Sequence, residues 1–175
     1  MLIQRDQYGF SLIELMVTLS IVGILATLAA PSFKVILANA QIRTAAQALH
    51  DGLQLARVEA IRRNARVIFT KGTQSTWTVS IESDASTVQT RPYTEGSSAA
   101  TVAVTPTNAT QVTFDGLGRV KSNTDASSSI TQLDIDVPTT LIPASNSREQ
   151  RVTVTPGGAI RLCDPNVTSG VGMGC

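Results

Sequence analysis

The sequence is poor in the residues on which most enzymes and nucleic-acid-binding proteins depend. Aromatic residues make up 4% of the 175 positions and charged residues 15%, and the formal net charge is only +1. A nearly neutral chain has no general positive field to attract nucleic acid. The single histidine, His50, falls in a helical pattern beside basic residues, so no Ser-His-Asp set can be assigned. Composition therefore favours a non-enzymatic protein.

Metal and phosphate sites also lack support. The chain has only two cysteines, and zinc normally needs two further ligands. Asp134 and Asp136 share one face of a predicted strand, but two carboxylates are too few for a calcium site. The pair Gly157-Gly158 is typical of a turn rather than of a phosphate-binding loop. We expect no cofactor, no metal and no small-molecule substrate.

Positive charge is missing from one long apolar segment that carries a carboxylate near its start. No Lys, Arg or His lies between Phe10 and Phe33. The stretch from Phe10 to Ala30 would form a helix about 30 Å long, which is enough to span a bilayer core. Glu14 would cost roughly 2.5–3.5 kcal/mol inside a membrane, so it needs a cationic partner. That partner must come from another chain or from a new amino terminus.

Two ordinary interpretations of this segment remain open. A secretory signal would use Arg5 as its basic region and be cut near Ala30, but Glu14 is a poor residue at the start of its apolar region. A plain single-pass anchor has the right length, yet it leaves the carboxylate unexplained.

The hexapeptide GFSLIE, residues 9–14, resembles the class III signal of type IV pilins and type II secretion pseudopilins. The resemblance implies that prepilin peptidase cuts after Gly9 and that the new terminus, Phe10, is N-methylated. It also implies that Glu14 meets the N-terminal ammonium of a neighbouring subunit during assembly. Cutting at Gly9 places an ammonium one helical turn from Glu14, and a desolvated ion pair is much stronger than one in water.

Helical periodicity continues beyond the apolar segment. Pro31 is expected to kink the helix, because proline removes one backbone hydrogen bond. Apolar residues then recur at alternating spacings of four and three, a pattern typical of an amphipathic helix. The residues of this stripe are Ile42, Ala46, Leu49, Leu53, Ala56 and Ala60. We predict one helix from about Phe10 to Arg63, ended by Asn64.

After Asn64 the period changes to two, which predicts β-strands. The predicted strands are 66–70, 77–81, 101–104, 112–114, 132–137, 151–155 and 159–163. Residues 115–120 are predicted to form a turn, and the Ser/Thr-rich segments 84–100 and 121–129 are predicted to be loops.

The fold class predicted is α+β and type IV pilin-like. The resemblance implies a long N-terminal helix whose second half packs on an antiparallel β-sheet domain. Residues 1–9 would be the prepilin leader and residues 10–30 the transmembrane and assembly helix. Residues 31–64 would continue that helix, and residues 65–175 would form a periplasmic or extracellular β-domain with a C-terminal disulfide loop.

Further stretches resemble the GspH/FimT branch of these proteins, namely LQLARVEAIRRNARV, FDGLGR and VTVTPGGAIRLC. Members of this branch are minor subunits placed in or near a tip complex that initiates assembly. The resemblance implies as partners other major and minor pilins or pseudopilins, the prepilin peptidase and an inner-membrane assembly platform.

Cys163 and Cys175 are expected to form a disulfide, since an exported domain lies in an oxidising space. The bond would close a loop of about a dozen residues and contribute on the order of 3 kcal/mol. Pilins often carry such a loop, whereas type II pseudopilins of this branch carry it less typically. The loop therefore favours a type IV pilus over a secretion pseudopilus.

Charge is unevenly distributed along the chain. Residues 34–66 contain six basic and two acidic residues, whereas residues 71–147 contain four basic and seven acidic ones. Both segments are explained by ordinary solvated surfaces. The alternative is that the basic end of the helix faces anionic lipid headgroups, an acidic neighbouring subunit or DNA.

DNA binding is suggested by arginines near the C-terminus, at Arg148, Arg151 and Arg161. FimT-like proteins that take up DNA carry a Gly-Arg-x-Arg turn, and the matching residues 158–161 here read Gly-Ala-Ile-Arg. The first arginine is missing, so the resemblance implies a DNA-binding role for Arg161 alone.

Together these features predict a minor type IV pilin, held in the bacterial inner membrane and then assembled into a pilus. The alternatives are a type II secretion minor pseudopilin, a DNA-binding competence pilin and, last, a soluble periplasmic protein.

Overall fold

A single long helix begins the structure. The computed structural model describes residues 9–167 and 174–175, without the side chains of residues 28 and 29. Most of the predicted leader, residues 1–8, lies outside this description. The helix α1 runs over Leu12–Arg63, 52 residues, as the periodicity predicts. Asn64 ends it in the left-handed conformation, with φ 48° and ψ 43°, and its backbone N–H donates to the carbonyl of Ile61 at 3.2 Å.

Short strands follow the helix and form two antiparallel sheets within the described residues. They are β1 Val67–Lys71, β2 Trp77–Ile81, β3 Thr87–Arg91, β4 Thr101–Thr105, β5 Gln111–Phe114, β6 Val120–Lys121, β7 Gln132–Asp136, β8 Gln150–Val154 and β9 Ile160–Cys163. The first sheet has the order β3-β2-β1-β5-β6 and the second has the order β4-β7-β8-β9. A short 3₁₀ helix, Ala144–Asn146, precedes β8. The predicted α+β class with antiparallel pairing is confirmed.

Two strands lie where the sequence predicts none. β3 falls within the predicted loop 84–100, and β6 falls at the end of the predicted turn 115–120. β3 is an edge strand whose side chains are mostly exposed, with Val88 its only apolar residue, so it lacks the alternation that reveals a half-buried strand. β6 has two residues, too few to show any period.

The buried face of α1 contacts both sheets. Every residue of the predicted apolar stripe is completely buried. Gly52 lies in this face because any side chain there would overlap an aromatic pair of the first sheet. A Cβ at Gly52 would lie 2.7 Å from the ring of Trp77 and 2.9 Å from that of Phe69. The missing side chain therefore sets how closely the helix approaches the sheet.

Two turns meet at the C-terminal end of α1 and join the two sheets. We call this contact the turn junction; it consists of residues 115–119, between β5 and β6, and residues 155–158, between β8 and β9. The backbone N–H of Val120 donates to the carbonyl of Pro156 at 3.1 Å. Arg57 of the helix donates from Nε to the carbonyl of Gly118 at 3.2 Å. Gly158 has φ +80°, and a Cβ there would overlap the same carbonyl oxygen.

We expect Gly158→Ala to destabilise the protein by roughly 2–4 kcal/mol, from left-handed strain and from the overlap with Gly118. The measurement is denaturant unfolding of the full chain in detergent, followed by the fluorescence of its one tryptophan, Trp77. Gly157→Ala is the matched control, because its Cβ would approach only Thr155, at 3.9 Å. Equal stability of the two variants would contradict the role given to Gly158.

The first turn of the junction also depends on Asp115. Its Oδ1 accepts the backbone N–H groups of Leu117 at 3.0 Å and Arg119 at 2.9 Å. Both bonds hold the pKa of Asp115 below its ordinary value, and the bond from Arg119 has the larger effect. Because the folded pKa is depressed, the carboxylate stabilises the turn above the unfolded pKa, and this stability is lost as pH falls through the folded pKa.

We therefore expect Asp115→Asn to be less stable than wild type at neutral pH, and the difference to narrow below the pH at which an ordinary aspartate titrates. Denaturation midpoints measured across the acid range test this. A difference that stays constant over that range would show that the charge of Asp115 does not contribute.

Candidate assembly site

The first half of α1 exposes an apolar surface that no other described part of the chain covers. Every described side chain from Phe10 to Thr27 is exposed, and the buried core begins only at Ala38. Within residues 10–37 the exposed large apolar residues are Phe10, Leu12, Ile13, Leu15, Met16, Val17, Leu19, Ile21, Val22, Ile24, Leu25, Phe33, Ile36 and Leu37. We call residues 10–37 the apolar segment. A surface of this extent requires lipid or another protein around it.

Three hydroxyl groups within the apolar segment are satisfied by its own helix. Thr18, Ser20 and Thr27 donate to carbonyls three or four residues earlier, at 3.0, 2.8 and 2.7 Å. Such internal bonds suit a helix that leaves water.

Glu14 is different from these hydroxyl groups. The spacing Ser11-x-x-Glu14 matches a capping box, yet the Ser11 side chain makes no capping hydrogen bond. Within the described residues no cation pairs with Glu14. The first turn of α1 thus presents an exposed carboxylate at the start of an apolar surface.

The apolar segment bends near Pro31. Among the described residues no single straight helical piece combines the length and apolar character needed to cross a bilayer. The pieces Leu12–Thr27 and Ala30–Arg63, which meet at 45°, do so together by length and composition. Pro31 lies four residues after Thr27, so it cannot donate the usual hydrogen bond to the carbonyl of Thr27. The assignment of the bend to Pro31 stays a prediction.

The three arginines suggested for DNA binding do not form one open patch. Arg151 is paired with Asp134, which faces it across β7 and β8. Arg161 is exposed and opposes Thr153, so it lies two residues from Arg151 on the same face of the second sheet. Arg148 instead lines a cleft against α1. DNA binding stays a prediction that now rests on Arg161.

The paired aspartates are already engaged by protein groups. Asp134 accepts from Arg151 and, at 2.7 Å, from the side chain of Gln132. Asp136 accepts from the hydroxyl of Ser147 and, at 2.7 Å, from its neighbouring backbone N–H. Within the described ranges, no three His, Cys, Asp or Glu residues come close enough to hold a metal ion. These contacts explain the two carboxylates without calcium.

The predicted disulfide is present. Cys163 and Cys175 are bonded, with their Cα atoms 5.1 Å apart. The carbonyl of Asp164 accepts the backbone N–H of Cys175 at 3.2 Å, which closes the base of the loop. Residues 168–173 of this loop lie outside the described residues.

Sequence reasoning missed the role of Asn39. Its side chain donates to the carbonyl of Asn146 at 3.0 Å and accepts the backbone N–H of Arg148 at 2.8 Å. A polar residue between buried Ala38 and Ile42 is the only signal of this contact in the sequence. The contact fixes the segment before β8 against α1 and forms one end of a cleft of about 570 Å³, which we call the helix–loop cleft.

Comparisons with known families match two parts of the chain. Residues 4–30 match the prokaryotic N-terminal methylation motif. Residues 45–158 match the family described as type II transport protein GspH. The first match covers the predicted cleavage site and residues 10–30 of the apolar segment, and the second covers most of the β-domain.

Individual proteins give further similarities. A fimbrial protein of Moraxella nonliquefaciens is 43% identical over 60 residues, which cover 34% of this chain and 38% of that protein. Two crystal structures of the Pseudomonas aeruginosa type IV minor pilin FimU align over 69% of this chain and 90% and 87% of theirs. Their TM-scores are 0.49 and 0.48, at 14% and 15% identity.

We expect replacement of both Cys163 and Cys175 by Ser to lower the free energy of unfolding by about 3 kcal/mol, because the unfolded chain gains the freedom of the opened loop. Denaturant unfolding of the full chain measures this. Wild type treated with a reductant should match the double variant. A double variant as stable as the oxidised wild type would contradict the contribution assigned to the loop.

Proposed function

The chain belongs to the family of GspH-type proteins, and from that premise we propose that it is a minor type IV pilin, processed by prepilin peptidase and assembled into a pilus. Family membership implies assembly with other pilin-like subunits, and the N-terminal motif implies a membrane-anchored subunit before assembly. We place the anchor, residues 10–30, in the bacterial inner membrane. The proposed role is structural, within a complex that initiates the fibre or forms its tip.

The observation that carries this proposal is the apolar segment together with Glu14. From Phe10 to Thr27 its side chains are all exposed in the described chain, so they require lipid at first and other subunits after assembly. Cleavage after Gly9 supplies what the segment lacks, namely a cation one helical turn from a carboxylate. In the fibre the ammonium of one subunit would pair with Glu14 of the next and fix their axial register.

We favour a pilus over a secretion pseudopilus because of the disulfide loop between Cys163 and Cys175. The resemblance associates such a loop with pilins more than with pseudopilins of this branch. The β-domain would present this loop to partner subunits or external ligands while α1 packs in the fibre core.

The first test is intact mass and N-terminal sequencing of the protein from cells with and without the peptidase. We expect N-methylated Phe10 as the terminus in the first case and an unprocessed chain in the second. A terminus at Met1 in both strains, or near Pro31, would refute the proposal, since the helix would then be a plain anchor or a removed signal.

A second test concerns Glu14 itself. We expect Glu14→Gln to be processed normally but to enter fibres roughly tenfold less, because the amide keeps the shape and loses the ion pair. The ratio of protein in sheared fibres to protein left in membranes measures this.

Ser20→Ala is the matched control for Glu14→Gln. It removes another polar group from the same segment, one that is satisfied by its own helix. Incorporation of Glu14→Gln at the level of this control would exclude the proposed register contact.

A further inference from the structure

We propose that the helix–loop cleft binds an acidic segment of a neighbouring pilin-like subunit, which Arg43 and Arg148 recognise by its carboxylates. The inference rests on the proposed function, because it assigns a contact surface to assembly. The cleft lies where the end of the apolar segment and the start of the disulfide loop meet the segment before β8.

Both sides of the helix–loop cleft come from elements already described. The segment before β8 contributes Arg148, β8 contributes Gln150, and the C-terminal loop contributes Asp164 and Val167. The residues that α1 contributes are Val35, Ile36, Asn39, Ala40 and Arg43. The volume of about 570 Å³ is in the range of clefts that hold several side chains of a ligand. Val35 and Ile36 give the cleft an apolar side next to its cations.

The backbone at Arg148 is held in place. Asn39 accepts its N–H at 2.8 Å and donates to the carbonyl of Asn146 at 3.0 Å, so the segment cannot move away from α1 without breaking both bonds. Arg43 follows Asn39 by one helical turn and is exposed on the same cleft. A ligand in the cleft would therefore lie beside two arginines whose backbone is held in place.

Neither of these two arginines has a carboxylate partner among the described residues, unlike the arginines at the C-terminal end of α1. Arg62 and Arg63 both bind Glu59, each at 2.7 Å, and Arg66 binds Glu82 at 3.0 Å. The sequence of residues 168–173 contains no acidic residue that could neutralise the cleft. Asp164 contributes one negative charge to the lining, so two arginines still leave it net positive.

A protein carboxylate fits the cleft better than a lipid phosphate. Arg43 lies 13 residues beyond Ala30, about 20 Å along the helix axis, whereas the headgroup layer extends roughly 5–8 Å beyond the hydrocarbon. DNA also fits poorly, because a duplex needs several cations on one open face rather than two in a recess with apolar lining. A segment that alternates acidic and apolar side chains satisfies both parts of the cleft.

Fluorescence anisotropy tests this with the full chain in uncharged detergent. The probe is a short labelled peptide of alternating Glu and Val, and the matched control peptide has Gln in place of Glu. We expect wild type to bind the Glu peptide more tightly than the Gln peptide, and rising salt to weaken that binding. The double variant Arg43→Gln, Arg148→Gln should bind the Glu peptide roughly 5- to 30-fold more weakly.

Arg62→Gln is the matched control variant, because it removes an exposed arginine from the C-terminal end of α1, outside the cleft, and should leave peptide affinity unchanged. The denaturation midpoint of the double variant should equal that of wild type, which separates loss of binding from loss of fold. Equal affinity for the two peptides, or an unchanged affinity in the double variant, would overturn the proposal. Binding only to duplex DNA or to phosphatidylglycerol vesicles would overturn it as well.

The peptide titration involves neither Phe10 nor Glu14. A processed, fibre-forming chain without peptide binding would refute the cleft assignment and leave the proposed function intact. An unprocessed chain would refute the proposed function, whatever the titration gives.

Discussion

The packing of one face of α1 on two sheets is the constraint on which the rest of the structure depends. The face is built from small and medium apolar residues. Because Gly52 has no side chain, the helix backbone can approach Trp77 and Phe69 closely. Both sheets pack on this helix, and the turn junction and a hydrogen bond from the backbone N–H of Ile130 to the carbonyl of Gln111, at 3.0 Å, also link them. Burial on the helix therefore aligns the sheets and, through Asn39, also positions the segment that precedes β8.

The N-terminal half of the same helix is exposed rather than buried. From Phe10 to Thr27 its apolar side chains are exposed, and the hydroxyl groups of Thr18, Ser20 and Thr27 donate to carbonyls of the same helix. The C-terminal half of the helix thus has its apolar face covered by the sheets of its own molecule, whereas the N-terminal half is covered only in lipid or in an assembly. Glu14 lies in the N-terminal half, where an uncompensated charge is most costly and a specific partner most effective.

Strong periodicity let the sequence predict the helix, its end at Asn64 and the better-buried strands. These elements bury one face, so selection for burial leaves a readable pattern. β3 and β6 escaped prediction because an exposed edge strand and a two-residue strand carry no such pattern. At the candidate sites, processing and disulfide positions follow from local motifs. Spacing alone does not predict contacts between residues that are distant in the sequence. The pairing of Arg151 with Asp134 and the hydrogen bonds of Asn39 are contacts of this kind.

The buried face of α1 has a mechanical consequence. α1 measures about 78 Å along its bent course, and a subunit pulled by its membrane end transmits the load through the second piece, Ala30–Arg63, to the domain. Packed interiors transmit strain rather than absorbing it. The buried face begins at Ala38, and the bonds of Asn39 hold the end of this face that is nearest to the load, so an axial load is resisted as shear along the face. The domain and its helix are therefore joined by a broad contact that resists a load along the helix.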